Sequence, residues 1–86
     1  MFHKLDTPVS VSWVFDHQHR RVLIKSLLWE RKVYPVIKIG LHHTYRTGKT
    51  LYHVFSVESP TLFFRLVFNT ENLHWRLEEM ADGEPN

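Results

Sequence analysis

Residues 51–68 read LYHVFSVESPTLFFRLVF, from Leu51 to Phe68. Leu51, His53, Phe55 and Val57 share one face before the turn Glu58-Ser59-Pro60-Thr61, and Leu62, Phe64, Leu66 and Phe68 share one face after it. A period of two is the mark of a strand, because successive side chains leave a pleated chain on opposite sides. Two such runs around a proline-containing turn predict an antiparallel pair with one apolar face.

The same alternation extends in both directions. Val9, Val11, Trp13 and Phe15 form a strand started by Pro8. Asp16-His17-Gln18-His19-Arg20 reads as a loop, and Arg21 to Trp29 as a second strand. Its continuous apolar run also fits a short helix over 22–29. Glu30-Arg31-Lys32 is a charged turn, and Val33, Ile37, Ile39 and Leu41 share a face of a third strand. Pro35 lacks an N–H and marks an edge or bulge, and Gly40 permits a kink. Arg46-Thr47-Gly48-Lys49 suits a type I turn closed by a glycine bulge. That turn sets Ile39 against Phe55 and Ile37 against Val57. A two-residue Thr47-Gly48 turn would instead set Ile39 against Ser56 and His42 against His53, which matches apolar faces less well. After the turn Asn69-Thr70-Glu71-Asn72, in which Asn72 tolerates a left-handed conformation, Trp75 and Leu77 face inward on the last strand.

The expected fold is all-β: a six-stranded antiparallel meander curled into a small barrel or half-barrel, which hides its edges. Its core is Val11, Trp13, Ile37, Ile39, Phe55, Phe64, Leu66, Phe68, Trp75 and Leu77. Residues 1–80 form a single β domain and 81–86 an acidic flexible tail.

Eighty-six residues hold one core, and aromatics at 14% give it bulk at low entropic cost. The absence of cysteine excludes disulfides and thiolate metal sites, and fits a cytoplasmic location. No apolar run approaches the length of a membrane helix, and the first six residues lack the pattern of a signal peptide, so no membrane partner is expected. Charge is unevenly spread. Residues 1–77 hold all eleven Lys and Arg against five carboxylates, a net of +6, while residues 78–86 carry −4. A basic body suggests an anionic partner.

Seven histidines invite metal or acid–base chemistry. His17 and His19 form an H-x-H pair, and the preferred register makes His43 and His53 diagonal neighbours. Two histidines with Arg46 or Lys49 on a phosphate would suit a nuclease or cyclising enzyme. The carboxylates are scattered singly, however, and three glycines build no phosphate loop, so neither catalysis nor a cofactor is expected. The remaining expectation is a binding module. Tyr52, Val54, Phe63 and Val67 would leave an apolar patch on the outer face, suited to a protein partner or a homodimer. Alternatively Arg20, Arg21, Arg31, Lys32, Arg46, Lys49 and Arg65, with exposed aromatics, would bind nucleic acid.

Trp29, Tyr34-Pro35-Val36, Gly40-Leu41-His42-His43, Arg46-Thr47-Gly48, His53-Val54-Phe55-Ser56-Val57, Phe64-Arg65-Leu66 and Trp75-Arg76-Leu77-Glu78-Glu79 together form a pattern. It resembles a family of short hypothetical bacterial proteins classed as a domain of unknown function, over about residues 28–82. The resemblance implies a small β-barrel with no assigned activity and no catalytic residues to carry over. The segment 8–27 fits that pattern poorly.

Overall fold

The computed structural model describes residues 2–82, the side chain of Phe2 excepted. The strands are Phe2–Asp16 (β1), Arg21–Trp29 (β2), Lys32–Pro35 (β3), Lys38–Thr47 (β4), Thr50–Glu58 (β5), Leu62–Asn69 (β6) and Trp75–Asp82 (β7). All belong to one antiparallel sheet in the order β3-β2-β1-β7-β6-β5-β4. No described helix is long and apolar enough to cross a membrane.

β1 is long because it serves two partners. Its residues 2–9 pair with β7, and its residues 10–16 pair with β2. The sheet therefore folds over on itself. Ile24 and Leu27 of β2 pack against Phe55, Val57, Phe64, Leu66, Phe68, Trp75 and Leu77 of the β5–β7 side, and together these form the core. Phe64, Leu66 and Leu77 are almost wholly buried.

β-bulges produce the curl. One extra residue in a strand bends it and increases its twist. Lys25 is extra opposite Ser12/Trp13, Gly40 opposite Val57/Ser56, and Glu78 opposite Leu66/Arg65. Each reverses the alternation, so inward residues fall three apart: Ile24 and Leu27, Ile39 and His42, Leu77 and Met80.

The curl stops short of closure, since β3 and β4 lie at the two ends of the strand order. The chain crosses between them at Val36-Ile37. Val36 N–H donates to the Lys25 carbonyl at 2.9 Å, and Ile37 N–H donates to the Glu58 carbonyl at 2.8 Å. The result is a half-barrel tied at one end, with an open seam between β2 and β4. Its radius of gyration, 12.8 Å, slightly exceeds the ~12 Å of a fully compact chain of this length.

Several sequence expectations need correction. The described residues form seven strands, because the expected third strand breaks at Val36-Ile37 into β3 and β4. Ile37 lies in that crossing and is 61% exposed, so it leaves the core. Trp13 is half-covered, edge-on to Phe68 and Trp75. Residues 22–29 are strand, with no helix. Pro8 lies within β1 opposite Arg76 and does not start it. Leu73, not Asn72, takes the left-handed conformation in the β6–β7 turn. Ala81 and Asp82 continue β7, with Ala81 buried against Phe63, so no tail begins at 81; residues 83–86 lie outside the described residues.

Candidate functional site: a cationic cleft at the open seam

The β4–β5 hairpin sets the site. Thr47 pairs with Thr50, leaving a two-residue Gly48-Lys49 turn. Gly48 has φ +61°, the left-handed value such a turn requires at its first central position. This register overturns both sequence-derived ones. His42 opposes Phe55, His43 opposes Val54 and Tyr45 opposes Tyr52. Beyond Gly40 the pairing steps by one, and Ile39 meets Val57. Leu41 consequently turns outward and is 60% exposed.

His42 and His53 are thereby diagonal neighbours on the inner face. His42 Nε2 lies 2.8 Å from His53 Nδ1, and the His42 ring stacks on Phe55 at 4.2 Å. One nitrogen of the contact must donate and the other accept, so the pair holds one proton between them. Burial against Phe55 pushes His42 below the ordinary imidazole value, and the neighbouring His53 and His43 add to that effect.

A cleft of about 540 Å³ opens in front of the pair. Arg20, Arg21, Val22 and Leu23 form one wall, Ile39, His42, His53 and Phe55 the other, and Phe15 stands at the mouth, 57% exposed. No carboxylate lines it among the described residues. The nearest to Arg21 is Asp16, whose Oδ2 lies 3.8 Å from Arg21 Nε and 2.8 Å from His19 Nδ1. Hydrogen bonds from the His19 side chain and from the His19 and Gln18 backbones hold Asp16 below the usual carboxylate range.

The expected basic surface divides into separate regions. Arg20 and Arg21 line the cleft, and Arg46 and Lys49 lie exposed toward the tip of the hairpin. Arg31 and Lys32 lie at the far end of β2, roughly 25 Å away along the strand. Lys32 Nζ sits 5.2 Å above the Tyr34 ring. Arg65 is on the outer face, its Nε 2.9 Å from Glu78 Oε1.

The expected apolar patch is filled in. Val54 is 1% and Val67 6% exposed, and Tyr52 is half-buried in a stack with Tyr45 at 4.9 Å. Of the four residues, Phe63 alone is exposed, over a groove of about 330 Å³ shared with Gly40, Ser56 and Ala81.

The histidines named as metal candidates do not gather. His17 and His19 lie in the β1–β2 turn, and His43 and His53 point to opposite faces. No group of three metal ligands occurs among the described residues. The His42–His53 contact and the Phe15 and Phe55 walls were missed because each depends on register. The available signal was Gly48 itself, which suits the first position of a two-residue turn. No family model, curated protein or solved structure matches this chain.

Proposed function

We propose that this chain is a non-catalytic binding module of the cytoplasm, and that its partners are polyanions held in the cleft at the open seam. One observation carries this reading: the cleft presents Arg20, Arg21, His42 and His53 beside the apolar walls of Phe15 and Phe55, with no carboxylate among them. Cations on low-dielectric walls focus their field into a concave site and raise the local concentration of anions. With one nitrogen of each ring used in their mutual contact, the neutral histidine pair presents one donor and one acceptor, and the singly protonated pair presents two donors to an anion. Self-association through the outer face has less support, because Val54 and Val67 are covered by their own neighbours.

The test is anisotropy of labelled poly-glutamate and of a labelled single-stranded oligonucleotide, titrated with the protein at low and physiological salt. At least one polymer is expected to bind with a steep salt dependence. The double substitution Arg20→Glu/Arg21→Glu is expected to weaken that binding at least tenfold. Absence of binding to either polymer at low salt, or a double variant that binds as well as wild type, overturns the reading.

A further inference from the structure

The cleft lies between two strand edges that have no partner among the described residues. β3 covers β2 only over residues 26–29, so Arg21–Ile24 show a free edge toward β4. β4 is the last strand in the sheet order, and β5 occupies only one of its sides. β2 and β4 approach where Val36 N–H meets the Lys25 carbonyl, and stand apart from there outward. The gap begins between residues 23–25 and 36–39 and widens into the cationic cleft.

The backbone groups facing this gap follow from the hairpin. Thr47 and Thr50 close a two-residue turn and so form a hydrogen-bonded pair. Hydrogen-bonded and non-hydrogen-bonded pairs alternate along an antiparallel ladder. Arg46, Thr44 and His42 therefore direct their N–H and C=O groups away from β5, into the gap. A row of alternating donors and acceptors is a template for another polypeptide strand. A nucleotide chain offers no matching ladder.

Charge decides what kind of strand fits. β2, β3 and β4 contain Arg21, Lys25, Lys32, Lys38 and Arg46, and not one carboxylate. Two copies meeting edge to edge would place these cations against each other, which disfavours a second copy as the occupant. An acidic segment meets cations along both edges, and Asp16 is the carboxylate nearest to Arg21. Its apolar residues have Leu23, Ile39 and Phe55 to contact.

We propose, building on the polyanion reading, that the seam between β2 and β4 takes up an extended acidic segment of another protein, which pairs with the backbone of β4 as an eighth strand. The side chains of alternate residues enter the cleft, and carboxylates at its wide end meet Arg20 and Arg21.

The probe is a labelled peptide of alternating Glu and Val, about eight residues long, the length of an ordinary strand. Binding is read by anisotropy, and amide hydrogen exchange is followed in the saturated complex. The expected result is binding, with slowed exchange at His42, Thr44 and Arg46. The same peptide with every second amide N-methylated keeps its charge but loses one edge, and should bind at least tenfold more weakly. Thr44→Pro removes one donor from β4, is of a kind tolerated on edge strands, and should weaken the peptide while sparing the oligonucleotide. If that variant does not fold, the N-methylated peptide and the exchange pattern decide. Equal binding of the methylated peptide, or unchanged exchange along β4, overturns strand addition even though the peptide binds. Binding of the oligonucleotide without the peptide overturns it while leaving the polyanion reading intact. Binding of neither overturns both.

Discussion

The β5–β6–β7 flank and the β2/β4 seam are built from similar residues and behave in opposite ways. In the flank every strand has two neighbours, and Phe64, Leu66 and Leu77 are sealed in. At the seam two edges face a gap, and Phe15, Ile37 and Leu41 stand largely in solvent. Hydrophobicity alone does not separate these groups: a phenylalanine lies at the centre of one and at the rim of the other. What separates them is whether neighbouring strands cover the face a side chain takes. In the flank the inward face is covered from both sides, while outward Phe63 stays exposed; at the seam a free edge leaves apolar residues partly wet and the backbone available to a partner.

The largest expected effect contrasts the two regions directly. Phe64→Ala should cost about 3–5 kcal/mol, as a large buried side chain with little room to collapse. Phe15→Ala, at a site that is 57% exposed, should fall within about 0.5 kcal/mol of wild type. Urea denaturation measures both, and equal losses would erase the distinction between flank and seam. A smaller effect lies in the β2–β3 turn, beyond the seam. Glu30 and Arg31 both hold positive φ, 51° and 64°, where a two-residue turn ordinarily uses Asn-Gly. Arg31→Gly should relieve strain and add roughly 1 kcal/mol, provided this exceeds the entropy that glycine gives the unfolded chain. A lower urea midpoint would show that the turn stores no strain. The smallest effect is in the cleft. Because His42 is held below its ordinary value, the unfolded chain binds its proton first as pH falls, so stability is full above that ordinary value and declines below it. Between about pH 7.5 and about pH 5.5 wild type should lose more stability than His42→Gln, which keeps a hydrogen-bonding group beside His53. Equal losses in the two proteins would show that the pair is not coupled to folding.

Legibility in the sequence follows the bulges. β5 and β6 pair without a register shift, and their alternation could be read directly, from Phe55 to Phe68. β2 was ambiguous between strand and helix because its apolar run is continuous, and the bulge at Lys25 explains the run: it places the two buried residues, Ile24 and Leu27, three apart and breaks the alternation. In β4 the bulge at Gly40 sends Leu41 outward and His42 inward, so a uniform alternation assigned both wrongly. Arg20 and Arg21 could be picked out as basic residues of a loop, but their place opposite His42 and His53 could not.

The amino-acid sequence by itself determined that the chain is β, which faces of β5, β6 and the start of β7 turn inward, and where the proline-, glycine- and asparagine-rich turns fall. These are local consequences of side-chain period and backbone stereochemistry. Only the tertiary structure decided the register of the β4–β5 hairpin, the positions of the bulges and the failure of β3 to reach β4. A bulge costs little locally, and neighbouring registers differ little in local energy. The choice among them is made by the apolar surface buried when the whole sheet curls, and that curl leaves a cationic cleft at the seam.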